Sequence, residues 1–215
     1  VLRVRVKICG VRSLEEARLA TELGADALGF NFWEQSPRYI DPDSAAEIVS
    51  RLPPLVTYVG VFVNESPHRI ADVVSRAGLD AIQLHGDEDP EFCASLLPLR
   101  VIKAVRVQSG FDAGSLAAFK TTAILLDTGA NGLYGGSGHS FDWSIAVEAK
   151  RFVPVILAGG LSADNVERAI RTVRPLAVDV CSGVEAEPGR KDPAKLRAFI
   201  NAVARANSDP DESYE

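Results

Sequence analysis

Val4-Arg5-Val6-Lys7-Ile8-Cys9-Gly10-Val11-Arg12-Ser13-Leu14-Glu15-Glu16 is the stretch whose reading decides the fold. Val4–Cys9 is an apolar, β-branched run of strand length. Ser13 and Glu16 then form a capping box, in which the serine side chain and a glutamate three residues later satisfy free N–H groups at a helix start. Gly24 stands where that helix ends, and a second apolar run, Ala27–Phe32, follows at once. The stretch is therefore the first half of a strand–helix–strand unit.

The same unit recurs outward from it. Apolar runs lie at Val56–Val63, Ala81–His85, Val101–Val107, Ala123–Asp127, Val153–Ala158 and Leu176–Cys181, which with the first two makes eight. Most are nearly continuous rather than alternating, as strands are when both sheet faces are covered. Between them, Asp41-Pro42, Ser66-Pro67, Asp89-Pro90 and Asp192-Pro193 each place a capping side chain before a proline at the first helical position. Gly78 marks another helix end, and Ser162, Asp112 and Asp142 are candidate starts for the remaining helices.

Eight βα units in one chain predict a single-domain α/β fold, a closed (β/α)8 TIM barrel over residues 1–206, with 207–215 as an acidic, frayed tail. The alternative is an open doubly wound sheet, which leaves two edges exposed.

The chain has 215 residues, 47% of them hydrophobic and 24% charged, enough for one substantial core. A net charge of −6 argues against a nucleic-acid surface, which needs a basic stripe, yet allows a small anionic ligand held by local donors. The three cysteines, Cys9, Cys93 and Cys181, are far apart and lack metal-ligand spacing, so neither a zinc site nor a disulfide framework is expected. No apolar stretch reaches the roughly 18–20 residues that span a bilayer, and Val1-Leu2-Arg3-Val4-Arg5 lacks the features of a signal peptide. The expectation is a cytoplasmic protein without a membrane partner; monomer and homodimer both stay open.

In such barrels the loops after strands 7 and 8 commonly hold phosphate. Here those loops carry Gly159, Gly160 and Ser162, and Ser182 and Gly183; glycine lets the backbone approach an anion, and serine adds a donor. Tight turns alone would also use glycine. The long glycine-rich loop Gly129–Phe141 after strand 6 is read as a lid, with a solvated loop as the alternative.

Two strand ends carry proton-transfer groups. Cys9 ends strand 1; a thiol with a reference pKa of about 8.5 needs roughly 2 kcal/mol of local stabilisation to ionise at pH 7. Lys7, on the same face, is a candidate cationic neighbour or else a structural partner of Asp179. Asp127 follows Ile124-Leu125-Leu126, an apolar setting that favours a protonated carboxyl able to donate; a cap or loop ion pair is the alternative. His85 ends strand 4 and suits a substrate hydrogen bond or a rim position. Arg38, after strand 2, suits a carboxylate clamp or a plain surface site.

In order along the chain stand Val6-Lys7-Ile8-Cys9-Gly10, Gly24-Ala25-Asp26-Ala27-Leu28-Gly29-Phe30, Ser36-Pro37-Arg38-Tyr39-Ile40, Val59-Gly60-Val61-Phe62-Val63, Gln83-Leu84-His85-Gly86, Leu125-Leu126-Asp127, Gly135-Gly136-Ser137-Gly138, Phe141-Asp142-Trp143 and Asp179-Val180-Cys181-Ser182-Gly183-Val184-Glu185. This series resembles the phosphoribosylanthranilate isomerases of tryptophan biosynthesis over residues 4 to about 205.

The resemblance implies an Amadori rearrangement of N-(5-phosphoribosyl)anthranilate, a phosphorylated aminosugar, with no cofactor and no metal. It implies Asp127 as general acid on the ribose ring oxygen and Cys9 as general base at C2. It also implies phosphate on Gly159, Gly160, Ser182 and Gly183, with Gly136, Ser137 and Gly138 closing from the side. Arg38 would meet the anthranilate carboxylate, and His85 and Asp179 would line the site. Cys181 stands where serine is frequent in the family, and Val11-Arg12 where Ile-Thr is commoner.

The rivals are few. A histidine-pathway aminoaldose isomerase resembles a two-aspartate design, against which Cys9 argues. Indole-glycerol-phosphate synthase would need a lysine and glutamate set that finds no place here. A non-catalytic phosphate-binding barrel predicts binding without turnover. A redox sensor at Cys9 would need a partner cysteine, and none is near in sequence.

Overall fold

A computed structural model describes residues 3–108, 110–128 and 142–208. Eight parallel strands close in chain order: β1 (Arg5–Cys9), β2 (Ala27–Asn31), β3 (Thr57–Phe62), β4 (Ala81–Leu84), β5 (Val101–Val107), β6 (Ala123–Thr128), β7 (Val155–Leu157) and β8 (Ala177–Val180). Closure is made by β1 against β8, with Lys7 opposite Asp179 and Ile8 opposite Val180. The open-sheet alternative is thereby excluded.

Helices α1 (Leu14–Leu23), α2 (Pro42–Val49), α3 (Pro67–Ala77), α4 (Pro90–Ser95), α5 (Trp143–Ala149), α6 (Val166–Val173) and α7 (Pro193–Ser208) cover the outside. Their starts follow the capping signals. Ser13 accepts from the Glu16 N–H, Asp41 from Asp43 and Ser44, Ser66 from Arg69, and Asp89 from Phe92. Gly24 and Gly78 end α1 and α3 in the left-handed region.

Three details differ from the sequence reading. Asp112 starts a six-residue 3-10 helix, Ala113–Ala118, rather than an α-helix. Ser162 does not start α6: its N–H donates to Oδ1 of Asn165, the loop spends a further turn, and the helix begins at Val166. Asn207 and Ser208, assigned to the tail, are helical, and the Asn207 side chain accepts from the Val4 N–H and donates to the Val4 carbonyl, tying α7 to the start of β1. Residues 209–215, the rest of that tail, lie outside the described residues.

Alternate residues of each strand face two different cores. Outward side chains such as Ile8, Leu28, Phe30, Ile82, Leu84, Ile124 and Leu126 pack against the helices. Inward ones form a smaller cluster including Ala81, Ala104, Ala123, Leu125, Ile156 and Ala177. Both faces are apolar, which is why the runs are continuous.

The inward series changes character along the barrel axis. β8 carries Ala177 and Asp179, with Cys181 just past its end; β4 carries Ala81 and Gln83, with His85 just past its end; β6 carries Ala123, Leu125 and Asp127. Small apolar residues plug the bottom, and polar ones collect at the C-terminal mouth, where barrels of this kind carry their sites.

Candidate functional site

A pocket opens at that mouth, lined by Cys9, Arg38, His85, Asp127, Asp179 and Cys181 together with Gly159, Gly160, Ser182 and Gly183. Of the described residues singled out in the sequence for this site, Ser162 and Lys7 are not among those lining the pocket. Gly136, Ser137 and Gly138, with the rest of the glycine-rich loop, lie outside the described residues.

β1 turns Lys7 and Cys9 inward as alternate residues, and Gly29 on β2 makes room for them. A Cβ there would stand 2.9 Å from Cys9 Sγ and 3.2 Å from Lys7 Nζ. Lys7 Nζ donates to Asp179 Oδ1 at 2.7 Å, and both side chains are buried. Of the two partners left open for Lys7, the ion pair with Asp179 is present, and the ammonium also acts on Cys9. Burial works against its charge, but Asp179 and the Cys9 sulfur outweigh burial and hold Lys7 above its ordinary range. Asp179 is pushed up to about 6, first by burial, with Cys9 and Asp127 adding repulsion that Lys7 only partly offsets.

Cys9 is held well below the usual thiol range. The neighbouring Cys181 thiol is the largest cause; burial opposes it, and the charges of Lys7 and Lys191 reinforce it. Cys181 is correspondingly pushed up by the Cys9 sulfur and by burial, so the surroundings favour the thiolate at Cys9.

Across the mouth, Asp127 is buried, and its Oδ1 accepts from the Thr128 N–H at 2.7 Å. Its Oδ2 lies 3.2 Å from His85 Nε2, a charge contact whose angle falls outside hydrogen-bond alignment. Gln83, fully buried one inward step below, places Nε2 2.8 Å from His85 Nδ1. With that amide donating, the ring proton sits on Nε2 and faces Asp127.

Gly159 and Gly160 both adopt left-handed backbone, φ +76° and +63°. A Cβ on Gly159 would also come within 2.9 Å of Asp127 Oδ1 and 2.6 Å of the Thr128 nitrogen, so only glycine lets this loop lie against the acid. A Cβ on Gly183 would strike the Leu161 carbonyl oxygen, so the loops after β7 and β8 are packed backbone to backbone.

Arg38 is less free than its loop position suggests. Its Nε and Nη2 grip Glu185 at 2.9 and 2.8 Å, and Lys191 Nζ joins the same carboxylate at 3.1 Å. The side edge of the guanidinium is thus committed, leaving the end-on edge for a ligand. Glu185 and Lys191 were missed in the sequence. They sit on a short antiparallel pair, β9 (Glu185–Glu187) and β10 (Arg190–Lys191), for which no periodicity gave a signal. Trp33 and Asn31, at the end of β2, also line the pocket and were missed.

Among the described residues no helix is long and apolar enough to cross a membrane, and no group of three or more His, Cys, Asp or Glu side chains is placed to hold a metal.

A family model described as N-(5'phosphoribosyl)anthranilate (PRA) isomerase matches residues 6–202. A Geobacter sulfurreducens protein named N-(5'-phosphoribosyl)anthranilate isomerase is 52% identical over 197 residues, covering 92% of this chain and 97% of that one. Among solved structures, monomers of the dimeric phosphoribosylanthranilate isomerase of Thermotoga maritima match with a TM-score of 0.84 at 45% identity, covering 94% of this chain and 99% of that one. A phosphoribosyl anthranilate isomerase in complex with reduced 1-(o-carboxyphenylamino)-1-deoxyribulose 5-phosphate matches with a TM-score of 0.83 at 46% identity over the same shares.

Proposed function

The chain belongs to the N-(5'-phosphoribosyl)anthranilate isomerase family, and from that premise we propose how its pocket divides the reaction between Cys9 and Asp127. The enzyme is an isomerase of tryptophan biosynthesis. The reaction is an Amadori rearrangement, from N-(5-phosphoribosyl)anthranilate to 1-(2-carboxyphenylamino)-1-deoxyribulose 5-phosphate.

Asp127 donates a proton to the ribose ring oxygen as the C1–O bond breaks, and the nitrogen lone pair completes a protonated Schiff base. The Cys9 thiolate then removes the C2 proton; the electron pair moves to C1–C2 and onto nitrogen, giving an enolamine. Proton transfer from the C2 hydroxyl and to C1 yields the ketone. The single observation that carries this reading is that a thiol held well below its usual range and a buried carboxyl share one pocket. General acid–base catalysis needs each group in its reactive protonation state at the working pH.

The phosphate is assigned to the Gly159–Gly160 and Ser182–Gly183 turns, supported by left-handed glycines that expose backbone toward the pocket. Gly136, Ser137 and Gly138 are assigned to the same group on the resemblance alone. Arg38 meets the anthranilate carboxylate with its end-on edge while Glu185 fixes the side edge. His85 and Asp179 line the sugar.

The test is turnover of N-(5-phosphoribosyl)anthranilate by the purified chain, with rescue of a tryptophan-requiring strain that lacks this isomerase. Failure of both overturns the reading. A homodimer is the further reading of its assembly. Light scattering at twice 23.0 kDa supports it, and 23.0 kDa overturns it.

A further inference from the structure

We propose that Cys9 and Cys181 form an oxidisable thiol pair, which a hydroperoxide entering the pocket closes to an intramolecular disulfide, switching the isomerase off until a dithiol reductant reopens it.

The geometry comes from barrel closure. β1 and β8 are hydrogen-bonded neighbours whose last paired residues are Ile8 and Val180. Cys9, the last residue of β1, and Cys181, just past the end of β8, follow that pair, and both reach the same pocket. Neighbouring strands run about 4.8 Å apart, within the roughly 4.4–6.8 Å between Cα atoms that a disulfide spans. The Cys181 thiol donates to Glu185 Oε1 at 3.7 Å, and the Cys9 sulfur is the neighbour that does most to push it up. Glycines leave both sulfurs room at this corner: a Cβ on Gly10 would come within 3.1 Å of Cys181 Sγ, and one on Gly29 within 2.9 Å of Cys9 Sγ.

The electrostatics favour reaction at one sulfur. Lys7 and Lys191 favour the thiolate of Cys9, the nucleophilic form. Cys181, half-buried with Lys191 Nζ 3.8 Å from its sulfur, is the resolving partner. The third cysteine supplies an internal contrast. Cys93 is fully buried in α4, and burial pushes its thiol up to about 11.

The steps balance. The Cys9 thiolate attacks one peroxide oxygen, the O–O bond breaks, and the departing oxygen leaves as water or an alcohol after taking a proton. Cys9 becomes a sulfenic acid, oxidised by two electrons as the peroxide is reduced by two. The Cys181 sulfur then attacks the Cys9 sulfur; S–S forms, S–O breaks, and hydroxide departs with the Cys181 proton as water. Two thiols and one hydroperoxide give one disulfide, one water and one further water or alcohol.

The consequence for turnover rests on Cys9 acting as the base; formation of the bond does not. The experiment treats the full chain with hydrogen peroxide and reads intact mass, alkylatable thiols and turnover in parallel. The expected result is loss of two hydrogens, one remaining thiol, a linked peptide pair containing Cys9 and Cys181, and loss of nearly all turnover that dithiothreitol restores. Cys181→Ser, compared with its own untreated activity, should instead gain oxygen at Cys9 and recover poorly, since an unresolved sulfenic acid oxidises further.

Absence of the linked pair, linkage between molecules, or equal recovery of wild type and Cys181→Ser overturns the proposal. Loss of turnover without linkage overturns the pair and leaves Cys9 as base. Linkage with turnover unchanged overturns the switch and Cys9 as base.

Discussion

At the mouth of the barrel, β1 and β8 surround a sulfur with charge and donors: Lys7, Asp179, Cys181 and, from β10, Lys191. β4 and β6, on the other side, surround a carboxyl with little more than the Thr128 N–H and the imidazole of His85. The two sides make up one pocket. A base that must be ionised and an acid that must be protonated can share a site only where their surroundings differ in this way. The paired charges sit on the side of Cys9, the group proposed as the base.

The sharpest way to break this comparison is to remove each reacting group. Cys9→Ala and Asp127→Asn should each lower kcat by about 10²–10⁴-fold, with product-analogue affinity and thermal midpoint nearly unchanged. Activity retained in either variant removes that residue from its role.

Next in size is the ion pair behind the thiol. Asp179→Asn removes the carboxylate to which Lys7 Nζ donates, and its effect is read by urea denaturation across pH. Its pH dependence carries a definite sign. Asp179 is held at about 6 in the fold, against an ordinary 3.8, so the native state binds this proton more tightly than the unfolded chain. Its contribution to stability is therefore full below pH 3.8 and lost as pH rises through about 6. Asp179→Asn should abolish that loss, and a variant with the wild-type pH dependence would show that another group produces it.

The thiol side can also be read without mutation. Because Cys9 is held below its usual range, kcat/KM should show no thiol-dependent rise between pH 7 and 9, where an ordinary thiol base with a reference pKa of about 8.5 would add roughly 25-fold. A rise through that window would mean that the cations and Cys181 do not act on Cys9 as described.

The smallest effect belongs to the carboxyl side. Gln83→Leu removes the hydrogen bond that fixes the His85 tautomer, worth about 1 kcal/mol, or roughly fivefold in kcat. An effect as large as that of Asp127→Asn would make His85 itself the proton donor.

The barrel was legible because its evidence is local. Eight apolar runs, Pro-preceding caps at Asp41, Ser66 and Asp89, and glycines at 24 and 78 each report on a few neighbouring residues. Cys9, His85 and Asp127 were legible for the same reason, as polar residues ending apolar strands. What escaped depends on distant partners. Glu185 grips Arg38 across 147 positions, and no pattern around either residue announces it. Cys9 and Cys181, far apart in sequence, reach one pocket only because β8 closes onto β1. Ser162 failed as a cap for a subtler reason: Asn165, three residues on, took the Ser162 N–H and moved the helix start.

The division of labour is tested most directly by trapping the intermediate between its two steps. N-(5-phosphoribosyl)anthranilate is mixed with each variant in the presence of cyanoborohydride, which reduces the open-chain Schiff base to a stable amine. Cys9→Ala, with Asp127 intact, should open the ring and yield the reduced amine faster than the enzyme-free reaction, while making no ketose. Asp127→Asn should trap no faster than the enzyme-free control. Ketose formation by Cys9→Ala, or equal trapping by the two variants, would contradict the assignment of acid to Asp127 and base to Cys9.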